Sequence, residues 1–157
     1  LPYAQMDRFL VRLSVGYPDR DAQIAMLRAR QDENPLDRVC QVASREDVLA
    51  MQTAVRAVSV SDAILDYITR LTMASREHPM LEVGVSPRGA LCLCRMAKAR
   101  AYLLGRDYAV GEDVQDVWQD VCAHRVAATP KARLSGVTGA DILRNVLSSV
   151  ESPDQRL

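Results

Sequence analysis

The sequence predicts an all-α fold, a helical bundle carrying one stray strand, and three observations predict it. Apolar residues recur at helical spacing, as in Ile64, Ile68 and Leu71, or Val114, Val117, Trp118 and Val121. Capping residues stand at the starts of these runs: Asp19, Ser44, Ser61 and Thr138. Pro and Gly punctuate the gaps between them, in Gly16-Tyr17-Pro18, Asn34-Pro35, His78-Pro79 and Gly105.

In order, Leu1-Pro2 opens a short helix to about Phe9, with Pro suited to a first turn. Leu10 to Val15 largely alternates apolar and polar and reads as a strand. A lone strand leaves its backbone groups unpaired, so it is expected to belong to a larger sheet. Asp19 caps a helix to about Arg30 with the stripe Ala22, Ala25, Met26 and Ala29; 31–43 reads as loop. Ser44, with Asp47 three residues on, starts a helix whose core face would be Val48, Met51, Val55 and Val58. Ser61 caps the next, ended by His78-Pro79, and a loop runs to Val85. Ser86-Pro87 begins the longest helix, with the small-residue stripe Ala90, Leu93, Cys94, Ala97, Ala101 and Leu104, and Gly105 ends it. A helix over 111–125, a linker over 129–137 and a last helix opened by Thr138 and Asp141 complete the chain.

The 157 residues are 48% apolar and 25% charged, enough for a core without disulfides or metal. Lys+Arg and Asp+Glu both total 20, so no whole-chain attraction to nucleic acid or anionic membrane is expected. The balance is local: Arg88, Arg95, Lys98, Arg100 and Arg106 lie in a stretch, 83–106, that holds no acid. That distribution suits a small anion such as phosphate. No apolar run approaches the roughly 20 residues that span a bilayer. The start on Leu1, with neither Met nor a signal-peptide pattern, suggests a fragment of a cytoplasmic protein. Cys40, Cys92, Cys94 and Cys122 form no C-x-x-C pair. Cys92 and Cys94 point about 200° apart on a helix, so buried reduced thiols are expected rather than a zinc site.

Gly84-Val85-Ser86-Pro87-Arg88-Gly89 has the glycine spacing of a P-loop, but Ala90 and Leu91 stand where Lys and Ser/Thr are required. No strand ends in Asp-Glu to act as a Walker B motif, and no G-x-S-x-G or H-E-x-x-H occurs. Arg88 falls at the second position of its helix, where the dipole disfavours a cation by about 0.3–1 kcal/mol. Two readings follow: an arginine that extends into water, or a fork that joins the helix N-terminus in holding a phosphate. Arg8, ending the first short helix in Asp7-Arg8-Phe9, reads on physics alone as a surface arginine.

The run Leu1-Pro2-Tyr3-Ala4-Gln5-Met6-Asp7-Arg8-Phe9 resembles the L-P-E-A-Q-x-D-R-F segment of MoxR-type AAA+ ATPases. The resemblance continues in order through Gly16-Tyr17-Pro18-Asp19-Arg20, Asn34-Pro35-Leu36, Val58-Ser59-Val60-Ser61 and, most specifically, Gly84-Val85-Ser86-Pro87-Arg88-Gly89-Ala90. Gly105-Arg106-Asp107-Tyr108, Ala123-His124-Arg125 and Asp141-Ile142-Leu143 complete it. It implies a helical AAA+ lid over 19–157 preceded by the C-terminal remnant of the nucleotide core over 1–18. Arg8 would then be an arginine finger acting on a neighbouring subunit, and Arg88 a sensor 2 residue reaching its own subunit's ATP phosphate. The whole protein would use ATP and Mg in a hexameric ring with chaperone-like action, on partners that include von Willebrand factor A-type proteins. This stretch alone should bind no cofactor and hydrolyse nothing. Two departures stand out: Tyr3 replaces a usual Glu, and Ala109-Val110-Gly111 replaces V-T-P, losing a capping hydroxyl worth about 0.5–2 kcal/mol. The rival readings are a helical protein-interaction module, and a DNA binder using Arg95, Lys98 and Arg100.

Overall fold

The computed structural model describes residues 3–31 and 34–153, without the side chains of Tyr3 and Ala4. The Tyr3 departure and the Leu1-Pro2 helix start therefore lie outside the described residues. Two compact units divide the chain: residues 13–52, and residues 1–12 together with 53–157.

In the smaller unit, α2 spans Arg20–Ala29, and the Asp19 carboxylate caps it by accepting the Ala22 N–H at 2.8 Å. A 3-10 turn at Pro35–Arg38 follows Asn34, within the expected loop. α3, Arg45–Ala57, opens on a reciprocal box: Asp47 accepts from the Ser44 N–H and hydroxyl at 2.8 and 2.7 Å, and Ser44 Oγ accepts the Asp47 N–H at 3.0 Å. Val58, just past α3, is buried with Ala101 and Ala109 as expected of a core face, but the rest of the stripes are a correction, because Met26, Leu27, Val48 and Met51 are exposed. About forty residues with two amphipathic helices offer too little facing surface to enclose them. Cys40 is likewise exposed, while Cys92 and Cys122 are buried and Cys94 is half-buried, all as free thiols.

The larger unit holds α1 (Tyr3–Met6), α4 (Asp62–Glu77), α5 (Pro87–Leu103), α6 (Gly111–Cys122), α7 (Pro130–Leu134) and α8 (Gly139–Ser149). A small antiparallel sheet pairs β1 (Leu81–Val83) with β2 (Ala127–Ala128). β1 and α7 fall where loop and linker were expected, and β2 falls in the short gap between the expected helix and the linker. Three residues are too few to show alternation, but Thr129 does cap α7 ahead of Pro130. Leu10–Val15 forms no strand among the described residues, contrary to expectation. Its one recorded backbone hydrogen bond runs from the Arg12 N–H to the Asp120 carbonyl, at 2.9 Å, and α6 is a helix that offers no strand edge.

The expected helix faces build the core of this unit, except that Leu104, counted on the α5 stripe, lies past the helix end and is exposed. Tyr67 and Leu71 of α4, Leu93 of α5, Val114, Trp118 and Val121 of α6, and Ile142 and Leu143 of α8 are all fully enclosed. Trp118 stays satisfied because its indole N–H donates to the Leu143 carbonyl at 2.9 Å. The small residues Ala97 and Ala101 let α5 lie close against its neighbours, and Gly105, at φ +76°, ends that helix in a conformation that a side chain would strain. Among the described residues no helix is long and apolar enough to cross a membrane.

Gly84 lies flat against the end of α4. A Cβ there would stand 2.6 Å from the Arg76 Cα and 2.8 Å from the Ser75 carbonyl carbon, backbone atoms that cannot swing aside. Gly84→Ala is therefore expected to cost at least ~1–3 kcal/mol. Urea unfolding of the chain checks this, and an unchanged midpoint would contradict the close approach.

Candidate functional site

The motif over 84–90 is stapled to α4 before it becomes a helix. Ser75 Oγ accepts the Val85 N–H at 2.9 Å and donates to the Thr72 carbonyl at 2.7 Å, while Arg76 Nε donates to the Val85 carbonyl at 2.7 Å. With Val85 buried, the chain leaves α4's end in one direction. Ser86 then caps α5, its hydroxyl oxygen accepting the Gly89 N–H at 3.1 Å, and Pro87 takes the first helical position.

The same Ser86 hydroxyl donates to Asp7 Oδ1 at 2.9 Å. Asp7 is also the ion-pair partner of Arg125, whose Nε lies 3.2 Å from that oxygen. Arg125 follows α6, one turn beyond Val121 on the buried face, and its side chain is wholly buried. Its fork is spent on the N-terminal segment: Nη2 donates to the carbonyls of Phe9 (2.6 Å) and Asp7 (3.2 Å), and Nη1 to that of Leu10 (3.3 Å). Nη1 also returns to the Val121 carbonyl at 2.5 Å, and Nη2 reaches Cys92 Sγ at 3.3 Å. Gly89 makes room for this arm, since a Cβ there would meet Val85 Cγ1 at 2.6 Å and Arg125 Cδ at 3.1 Å. His124 adds a contact of Nε2 with the Phe9 carbonyl at 3.1 Å.

Arg8 and Arg88 ride on this scaffold. Arg8 lies in the turn after α1, between residues whose carbonyls Arg125 holds, and it is exposed. Arg88 is exposed in the first turn of α5, which contains no acid. Neither guanidinium has a hydrogen-bond or ion-pair partner among the described residues. The structure therefore links the two segments through Asp7 and Ser86 and leaves both guanidinium groups free toward solvent. Sequence reasoning quoted Asp7, Ser86 and Arg125 as parts of motifs and missed what joins them. The available signal was the spacing of Val121 and Arg125, which carries an arginine onto the apolar face of α6.

The other basic residues of 83–106 are largely engaged. Arg106 takes Asp113 as a fork, at 2.8 and 2.6 Å, and Arg100 pairs with Asp116. Lys98 donates to the Arg56 carbonyl at 2.6 Å. Burial opposes the charge on Asp113. The Arg106 bonds, the Val110 N–H and the charges of Arg106 and Arg100 outweigh it and hold the carboxyl below the ordinary range. The Val110 N–H donates to that carboxylate at 2.9 Å, so Asp113 supplies half of the cap lost with the usual threonine. Among the described residues, no group of three or more His, Cys, Asp or Glu is placed to hold a metal ion.

Burial lowers the pKa of His124, helped by the neighbouring charge of Arg125 and opposed by the Phe9 carbonyl. Between that lowered value and the unfolded imidazole's ~6.5, the unfolded chain binds a proton that the folded chain refuses. Stability from this group is thus complete above about pH 6.5 and falls as the pH drops below it. The urea midpoint should decline from pH 7.5 to 5.5, a range above carboxylate titration. His124→Gln should flatten that decline, and an equal decline in the variant would contradict the buried neutral imidazole.

Residues 73–146 match the AAA lid domain family. Over 156 residues the chain is 35% identical to the uncharacterized protein YeaC of Bacillus subtilis, covering 99% of this chain and 49% of that protein. It is 31% identical over 162 residues to the chaperone MoxR1 of Mycobacterium tuberculosis, covering 98% of this chain and 42% of that one. A crystal structure of a protein from Cytophaga hutchinsonii, provisionally assigned as an ATPase, superposes with a TM-score of 0.88 at 29% identity. It covers 98% of this chain and 49% of the other. The chain spans about half the length of the relatives it matches.

Proposed function

The chain belongs to the MoxR-type AAA+ ATPases as their C-terminal lid region, and on that premise we propose that it couples ATP binding and hydrolysis to chaperone-like remodelling of partner proteins. In this reading residues 1–18 are the end of the nucleotide core and 19–157 the lid. The complete cytoplasmic protein binds ATP with Mg and assembles into a ring, with von Willebrand factor A-type proteins among its partners. Arg88 contacts the phosphate of its own subunit's nucleotide as sensor 2. Arg8 reaches the nucleotide of the adjacent subunit as an arginine finger, so that hydrolysis depends on the neighbour.

The observation that carries the reading is the pair of exposed guanidiniums, Arg8 and Arg88, without partners among the described residues, on two segments held by one buried network. A cation at the start of a helix is unfavourable unless an anion arrives, and a planar fork suits a phosphate. In this reading the helices of the larger unit carry this fork against the core as nucleotide enters and leaves.

In the full-length protein a charge-assisted phosphate contact is worth roughly 1.5–3 kcal/mol, so Arg88→Ala should lower ATP turnover about tenfold or more. Arg88→Lys should restore only part of it. Arg8→Ala should keep nucleotide affinity, lose hydrolysis, and recover in mixed rings whose neighbours retain their fingers. Steady-state hydrolysis and fluorescent-nucleotide binding read these effects. A folded Arg88→Ala protein that turns over ATP at the wild-type rate would remove the sensor role and favour a protein-interaction module.

A further inference from the structure

We propose that the Asp7 carboxylate is a positioning group that sets two nucleotide-facing arginines at once, Arg8 through its own backbone and Arg88 through the Ser86 cap of α5. The inference rests on the functional reading above and adds a residue to it. Asp7 Oδ1 is shared, 2.9 Å from the Ser86 hydroxyl and 3.2 Å from Arg125 Nε. Asp7 immediately precedes Arg8, and Ser86 is two residues before Arg88. One oxygen thus receives the cap of the helix that carries one arginine and belongs to the residue that carries the other.

The environment makes the link stiff. Arg125 is wholly buried, and its other donors hold the carbonyls of Asp7, Phe9 and Leu10, so the backbone on both sides of Arg8 is fixed. A guanidinium with no access to water cannot shift without losing the carbonyls that its Nη donors hold, and among the described residues Asp7 is the one acid it pairs with. A buried pair of this kind adds little stability over an apolar replacement of similar volume. What it does supply is a defined geometry, here shared between the contact a subunit makes to its own nucleotide and the contact it offers to its neighbour. The two events then move together: a lid displaced by nucleotide drags the finger segment, and a finger engaged next door steadies the lid.

The test uses the full-length protein and its rings. Asp7→Asn keeps the shape and removes the charge, and it should lower ATP turnover about tenfold or more, with a raised KM for ATP that Arg8→Ala lacks. Mixed rings separate the two branches. Paired with subunits whose own nucleotide sites are disabled but whose fingers are intact, Arg8→Ala should regain turnover and Asp7→Asn should regain only a minor part. Circular dichroism and ring assembly confirm that each variant is folded. Where Asp7→Asn does not assemble, Asp7→Glu, which keeps the charge and moves it by one methylene, should give the same pattern. A folded Asp7 variant with wild-type turnover overturns the proposal, as does recovery equal to that of Arg8→Ala, which would leave Asp7 acting on the finger alone. Wild-type turnover in both Arg8→Ala and Arg88→Ala would instead overturn the functional reading beneath it.

Discussion

The guanidinium of Arg125 is wholly buried, and it spends its Nη donors largely on the residues around Arg8, with Nε 3.2 Å from Asp7 Oδ1 as an ion pair. Its burial organises this end of the larger unit. It brings Asp7 to the Ser86 cap, holds the segment from Asp7 to Leu10 against α5 and α6, and requires a glycine at position 89 for the arm to pass. The motif over 84–90 is therefore a set of solutions to one packing problem. Gly84 clears the end of α4, Val85 anchors in the core, Ser86 caps and links, and Gly89 yields space. Arg88, exposed in the first turn of α5, takes no part in that packing.

A second ion pair does comparable work at the opposite end of α5. Arg106 and Asp113 form a two-pronged contact across the turn from α5 to α6, with Asp113 nearly inaccessible and also holding the Val110 N–H. The turn thereby keeps its geometry although the usual capping hydroxyl is missing. With both ends of the α5–α6 pair fixed, Ala97 and Ala101 allow close packing between them.

Much of this was legible in the sequence, and the misses have a common cause. The caps at Asp19, Ser44, Ser61 and Thr138 and the apolar faces of α4, α6 and α8 follow from spacing alone, because helical signals are local. The resemblance in motif order pointed to the lid, and the AAA lid domain match bears it out. What local spacing could not give was pairing over long sequence distance. Asp7 meets Ser86 across 79 residues and Phe9 meets Arg125 across 116. The β1–β2 pair joins Leu81 to Ala128 in the same way. The alternation over 10–15 suggested a strand, but alternation reports only a two-sided surface, and a strand also needs an edge to bond. Stripes on α2 and α3 read as core because periodicity marks an apolar face without saying what covers it.

The central claim is that Asp7 and Arg125 form one energetic unit. A double-mutant cycle on the unfolding free energy of the chain tests it most directly, with Asp7→Asn, Arg125→Met and the pair together, all measured by urea denaturation at neutral pH. Contacting charged residues in a shared network couple by about 0.5–3 kcal/mol, whereas independent sites add to within about 0.3–0.5 kcal/mol. The account predicts coupling of at least ~1 kcal/mol, with the double variant losing clearly less than the sum of the single ones. Additive losses would contradict it and leave the segment around Arg8 held by something other than this ion pair.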